Sequence, residues 1–496
     1  MNKSSMGMFE ELKRFFGHSV VYGIGSIVGR LMGFLMIPIY TRYLDAKEYG
    51  LIEILDLNVC IISTVLIAGF AAAISKYYFY YKNEGDKKEV VSSALIFNVL
   101  TGLLGSLFLF LFSRQFSIAF FRTDIYTHYF QLSFITLIFE AFLSTPFAYL
   151  RIKEVSVLYV TISILRMFLG LVLNVYFIVF LHMGILGVLY SGIIVGAVSS
   201  VCLIYYTVKD VGISFSYSKL KEMFVFGVPL IPADLGMYFL NYVDRFFLNK
   251  FCSLKMVGIY ALGAKFGMLM NTLIGQPFTM IWVAFRFEIA EREDAKEIYA
   301  RILTYFEFVL IFLTLWMILV IKDVLSIVAG KEFFEAYKIV PLIAISCLFF
   351  GANYVLRVGL YLEKKTKWVP ITVWIPIVVT VILSWIIIPK YNMMGAGILK
   401  ILSYFSMAAT AWFISQIFYP ISYEFKRILK MLLVATLLYL ISLFLPAMPL
   451  WLSLMVKSLL AITFPILLYF FNFYDEKEKE KVRELWLNYK EKGIVR

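Results

Sequence analysis

The sequence predicts an all-α polytopic membrane protein of about fourteen transmembrane helices, and three observations carry that prediction. Of its 496 residues, 61% are hydrophobic and only 16% are charged, which excludes an ordinary soluble domain. The apolar residues come in runs of roughly twenty, the length a helix needs to cross a bilayer core. A β-barrel would instead show short alternating segments. The third observation is where the basic residues fall: with the N-terminus placed in the cytoplasm, 29 of the 46 Lys and Arg lie on cytoplasmic segments and 11 on outer loops. That bias puts both termini inside and requires an even number of spans.

Taken in order, the expected spans are 16–41, 49–75, 90–113, 127–150, 155–181, 184–208, 221–247, 256–284, 302–321, 336–362, 368–389, 393–418, 428–446 and 449–472. Most connectors are a few residues long. The longest are cytoplasmic: Arg286–Arg301 and the segment after Phe473. Both are expected to be amphipathic helices, the second with Val482, Leu485, Trp486 and Tyr489 on one face. Pro38, Pro229, Pro232 and Pro277 interrupt spans one, seven and eight, where a missing N–H and a clash with the preceding turn bend a helix. Trp282, Trp316, Trp368 and Trp451 are expected as interfacial anchors.

The same features exclude several functions. A net charge of +13 would suggest nucleic acid in a soluble domain; here positive-inside topology accounts for it, and no nucleic-acid partner is expected. No connector is large enough for a catalytic domain, and no G-x-x-x-x-G-K-[ST] loop occurs. The protein is therefore expected not to be an enzyme, with no catalytic residues and no cofactor. The four cysteines and three histidines are dispersed and support no metal site. No cleavable signal peptide is evident; the first apolar run has span length and lacks an A-x-A exit.

Chemistry concentrates in charges inside the spans. Arg30, Arg166, Lys265, Arg357, Lys400 and Lys457 fall there, the first three near mid-span. A cation in a bilayer core costs a few kcal/mol or more, so it faces a cavity or a partner. Cations on separate helices point to a chamber for an anionic substrate, lined by Arg30, Lys265, Arg166, Arg357 and Lys400. Acids accompany them. Glu53 and Asp56 share a face of span two, while Glu140 and Asp234 lie near mid-depth in spans four and seven. These four are candidates for coupling to H+ or Na+, or alternatively for neutralising the cations; Asp56 and Asp234 are preferred for coupling.

A short internal repeat organises the chain. Arg42-Tyr-Leu-Asp-Ala-Lys-Glu-Tyr-Gly50 follows the first span and Lys250-Phe-Cys-Ser-Leu-Lys-Met-Val-Gly258 the seventh, an offset of 208 residues. Six helices separate them, so the halves have the same orientation, with a binding site expected between them. The stretch from Gly25-Ser-Ile-Val-Gly-Arg30 through Pro38-Ile-Tyr-Thr-Arg-Tyr-Leu-Asp45 to Gly50 resembles the opening of Wzx-type polysaccharide flippases. These form the polysaccharide transporter branch of the MOP (multidrug/oligosaccharidyl-lipid/polysaccharide) superfamily. Phe226-Gly-Val-Pro-Leu-Ile-Pro232, Asp244-Arg245 and Gly258-Ile-Tyr-Ala-Leu-Gly263 are similar to that family as well.

The resemblance implies an N-terminal lobe at 1–210, a C-terminal lobe at 211–420, two appended spans at 421–472 and a cytoplasmic tail at 473–496. It also implies transport of an undecaprenyl-pyrophosphate-linked glycan across the bacterial cytoplasmic (inner) membrane. The product would be an O-antigen of lipopolysaccharide, a capsule or an exopolysaccharide, with a polysaccharide polymerase and a chain-length regulator as partners. The alternatives are a MATE-like drug/cation exporter, which needs a cavity dominated by carboxylates, and an integral-membrane polysaccharide polymerase, which needs a substantial outer loop.

Overall fold

The computed structural model describes residues 33–67, 69–476 and 478–480, and among them every regular element is helical. The helices are α1 (Ile37–Tyr43), α2 (Ala46–Ile67), α3 (Phe70–Tyr80), α4 (Glu84–Leu111), α5 (Ser113–Phe121), α6 (Thr127–Ile152), α7 (Ser156–Val175), α8 (Ile185–Val211) and α9 (Tyr217–Gly227). There follow α10 (Ile231–Phe251), α11 (Leu254–Gly267), α12 (Gln276–Ile289), α13 (Ala295–Val328), α14 (Val340–Leu356), α15 (Val358–Leu362), α16 (Val369–Phe418), α17 (Phe425–Leu443) and α18 (Leu450–Phe470). Ten stretches of the described residues are long and apolar enough to cross a membrane, or eleven with one bent pair.

Fourteen is not the count these residues give, for three physical reasons. The expected thirteenth span, α17 (Phe425–Leu443), is not among the ten because Lys426, Arg427 and Lys430 lie in its 19 residues. Most of the first expected span lies outside the described residues. Spans eleven and twelve form one stretch, Thr366–Phe418, of 53 residues. At 1.5 Å per residue it would be roughly 80 Å long, far more than one crossing needs. It turns back at Asn392, whose φ of 50° and ψ of −132° are not helical.

The prolines sit where helices restart. Pro38, Pro232 and Pro277 occupy the first turn of α1, α10 and α12, where the missing N–H is an orphan in any case. Pro229 lies in a 3-10 turn between α9 and α10. A π-turn at Asn271–Gly275 separates α11 from α12, and the pair bends by 40°. The Arg286–Arg301 connector is not one amphipathic helix: α12 runs to Ile289, a turn follows, and α13 starts at Ala295. The tail residues Val482, Leu485, Trp486 and Tyr489 lie outside the described residues.

The chain forms two compact units. The first comprises Met1–Leu262, Val328–Glu335 and Ile377–Leu399, the second Gly263–Ile327, Ala336–Pro376 and Lys400–Arg496, each taken over its described residues. In the first unit, Phe70, Val90, Tyr149 and Met223 form one buried cluster and Leu51, Leu55, Phe130 and Phe134 another. Gly69 joins α2 to α3 with φ 67°, and a Cβ there would lie 2.6 Å from the carbonyl oxygen of Gly227. Glycine alone satisfies both the left-handed backbone and that approach.

The repeat is visible in contacts within this unit. A Cβ on Gly50 would overlap the carbonyl of Leu254, and one on Gly258 would overlap the carbonyl of Ala46. The two contacts interchange under the 208-residue offset. A second pair does the same: Thr41 Oγ1 donates to Val328 O at 3.4 Å, and Asn249 Nδ2 donates to Phe120 O at 2.7 Å.

The second unit packs around Trp282, Tyr299, Leu303, Val355 and Ala408. Trp282 is only 3% exposed and its Nε1 donates to Tyr354 O at 2.9 Å, so it is a core residue rather than an interfacial anchor.

Candidate functional site

In the first unit, α10 carries Asp244 and Arg245 into a buried position against α2 and α11. Arg245 Nε lies 3.2 Å from Glu53 Oε2, and its Nη1 lies 3.5 Å from Asp244 Oδ1. Tyr260 Oη donates to Asp244 Oδ2 at 2.6 Å. The Tyr242 and Tyr260 rings flank the guanidinium at 4.9 and 5.9 Å. Arg245 is 5% exposed and Asp244 3%, so these charges are held by one another and not by water. Glu53, expected as half of a coupling pair with Asp56, is thus an ion-pair partner of Arg245. Arg245 itself falls inside the seventh expected span and was missed as an intramembrane cation. The available signal was an Asp-Arg dipeptide next to an apolar run.

Two other predicted residues meet directly: Arg166 Nη2 donates to Glu140 Oε1 at 2.9 Å, joining α7 to α6. Asp56, one turn beyond Glu53, is exposed, as is Asp234 near the start of α10. Asp56 and Glu140 both lie close enough to Cys60 for their charges to bear on its thiol. The predicted acids therefore fall into two groups. Glu53 is consumed by a buried pair; Asp56, Glu140 and Asp234 are at least partly accessible.

The second unit holds the other predicted cations. Lys265 on α11 is exposed. Lys400 on α16 is 5% exposed, with its Nζ 5.4 Å from the Tyr404 ring. Lys457 is paired with Asp323 at 2.6 Å, and Ser453 Oγ donates to the same carboxylate oxygen at 2.8 Å. Arg30 lies outside the described residues.

Arg357 sits at the break between α14 and α15, and here the structure adds a residue. Arg286, near the end of α12, places its Cζ 3.7 Å from the Tyr361 ring. Arg357 approaches the same ring at 5.7 Å and the Tyr354 ring at 5.8 Å. The Nε of each arginine is buried without an acceptor, and among the described residues neither forms an ion pair with a carboxylate. Local structure fixes both. Trp282 ties α12 to the Tyr354 carbonyl, Tyr299 Oη donates to Arg286 O at 2.5 Å, and Arg357 closes α14 by donating its N–H to Asn353 O at 3.4 Å. Two guanidiniums on tyrosine faces, with spare donors and no carboxylate partner among the described residues, have the chemistry to hold a multiply charged anion. The sequence count had placed Arg286 among loop charges because it follows the apolar run by two residues.

Long apolar helices in a 208-residue repeat, with ionic groups set among them, define a polytopic helical membrane protein with an internal repeat. The chain belongs to the polysaccharide biosynthesis protein family, whose profile matches residues 39–358. It is 23% identical over 333 residues to "Lsg locus putative protein 1" of Haemophilus influenzae, covering 64% of this chain and 77% of that protein. Its fold is similar to that of the lipid II flippase MurJ in an inward closed conformation, with a TM-score of 0.74, 14% identity, and coverage of 91% of this chain and 99% of the other. An inward-facing multidrug resistance MATE family transporter of the MOP superfamily has a similar fold, with a TM-score of 0.64, 15% identity, and coverage of 81% of this chain and 97% of the other.

Proposed function

We propose that this protein moves an undecaprenyl-pyrophosphate-linked oligosaccharide across the cytoplasmic membrane by alternating access, for surface polysaccharide synthesis. Family membership and the MurJ-like fold support a lipid-linked substrate. The observation that carries the reading is the Arg286–Arg357 pair: two guanidiniums on one tyrosine ring without an acid partner. A pyrophosphate offers the charge and the acceptor oxygens that such a pair lacks. Lys265 and Lys400 add to the positive charge of the same unit, which favours anion entry from the leaflet. A polymerase and a chain-length regulator take up the product. Both termini are cytoplasmic, and a cysteine at Lys331, but not one at Glu293, reacts with an impermeant reagent from outside.

The test is a leaflet-resolved assay of lipid-linked sugar in a strain lacking the chromosomal copy. Arg286→Ala with Arg357→Ala abolishes surface polymer and leaves precursor on the cytoplasmic face. Arg→Lys at both positions restores part of the flux, since charge survives and the fork is lost. Wild-type export by a normally expressed double alanine variant overturns the assignment.

A further inference from the structure

A second cavity lies in the second unit, and its lining shares no residue with the arginine pair. A cavity of about 460 Å3 is walled by α13, α14, α16 and α17, and its lining is apolar apart from Glu307. Glu307 is 4% exposed, its Oε1 accepts no hydrogen bond, and among the described residues its carboxyl forms no ion pair. A carboxyl group without a partner in an apolar wall is costly in either protonation state, so its retention at this place needs an account. The rest of the lining supplies one. Phe349 and Phe405 form an edge-to-face pair at 5.3 Å, and Trp412 and Phe425 another at 6.0 Å. Aromatic faces attract cations, as a carboxylate does, and both repel anions. Phe405, Trp412, Phe425 and Leu432 are each more than a third exposed, so the cavity is open on the side that these apolar residues line. Its size is that of a small-molecule pocket.

We propose that this cavity binds a lipophilic monocation, a bulky organic ammonium or phosphonium ion entering from the bilayer, with Glu307 as counter-ion and the Phe405 and Trp412 faces around the charge. The site does not rest on the flippase reading. It shares no residue with the Arg286–Arg357 cluster, and its chemistry selects the opposite charge.

The test uses a matched pair of probes, tetraphenylphosphonium and tetraphenylborate, which share size and shape and differ in sign. Binding to the purified full-length protein in neutral detergent is followed by equilibrium dialysis. The cation binds saturably at one site, and the anion binds at least about tenfold more weakly. Glu307→Gln, nearly isosteric, weakens cation binding about tenfold or more and leaves glycan export unchanged; Trp412→Leu weakens it about threefold. Equal affinity for the two ions overturns the proposal, as does undiminished cation binding by a folded Glu307→Gln variant. Equally tight binding of neutral tetraphenylmethane overturns it too, since that marks a lipid-chain groove. If Glu307→Gln does not fold, the comparison of the two ions on the wild-type protein decides.

Discussion

Arg245 shows what a charge needs in order to persist inside this protein. Its guanidinium touches Glu53 and Asp244, and Asp244 is held in turn by the Tyr260 hydroxyl. Removing one member leaves the others buried and uncompensated, which costs on the order of 3–5 kcal/mol. Arg245→Ala should therefore lower the thermal unfolding midpoint of the purified protein substantially, and Arg245→Lys by less. A midpoint within a degree of wild type for Arg245→Ala would deny the network a structural role. Arg286 and Arg357 contrast with it, because their charge is met by aromatic faces and not by acids. One arrangement completes itself within the fold; the other leaves the Nε donors of both arginines without an acceptor.

At the scale of elements, two contacts decide how helices meet. The α2–α11 crossing rests on Gly50 and Gly258, each lying where a Cβ would overlap a carbonyl of the other helix. Gly258→Ala forces the helices apart and should cost about 1–3 kcal/mol, as overpacking does. Gly50→Ala should cost a similar amount, because the two contacts are related by the repeat. Comparing the two variants by thermal unfolding checks the symmetry as well as the size. The second contact docks the start of the tail on the second unit: Glu478 pairs with Arg427 at 2.9 Å and accepts from Tyr305. Burial raises the Glu478 carboxyl, but the hydrogen bonds from Tyr305 and Arg427 outweigh it and hold the group below the usual carboxylate range. A depressed carboxylate contributes stability above its unfolded pKa and loses it as pH falls through the folded value. Hydrogen-exchange protection of residues 475, 476 and 478–480, taken relative to the intrinsic rate at each pH, should thus fall in acid, below about pH 4. Glu478→Gln should lack that protection already at neutral pH.

Across the whole molecule, the alternation of loops is supported by contacts within the first unit. Connectors that the charge count assigns to the outer side touch one another. Tyr43 stacks on His182 at 6.5 Å, Ala46 N donates to Glu332 at 3.2 Å, Asn249 reaches Phe120, and Cys252 Sγ meets Asn392 at 3.3 Å. Loops from six places in the chain meet at one end only if the number of crossings between them is even each time. An ion gradient drives a carrier only where the ion's affinity differs between its two states. Asp56 and Asp234 are exposed, unlike Glu53, which makes them the acids to test for such coupling in the proposed transport. The Asp56→Asn, Asp234→Asn double variant should lose ion-dependent flux in proteoliposomes while remaining folded. Unchanged ion dependence would assign both to structure.

What the sequence determined by itself is what local composition controls. Apolar run length sets where helices cross, Lys and Arg bias sets their alternation, and a nine-residue echo marks the repeat. The resemblance to the polysaccharide transporter branch was legible in the same segments, from Gly25 to Gly50 and from Phe226 to Gly263. The site was legible only in part. Arg357, Lys400 and Glu140 stand out in a span because an isolated charge there is conspicuous. Which charges neutralise one another depends on residues far apart in the chain, such as Glu53 with Arg245 or Asp323 with Lys457. Periodicity carries no record of such distances. Arg286 passed as a loop charge until packing brought it over Tyr361, and Trp282 passed as an anchor until its N–H was found on the Tyr354 carbonyl. Burial and partnership are properties of the assembled helices, so tertiary structure alone decided which charges meet an acid and which meet aromatic faces.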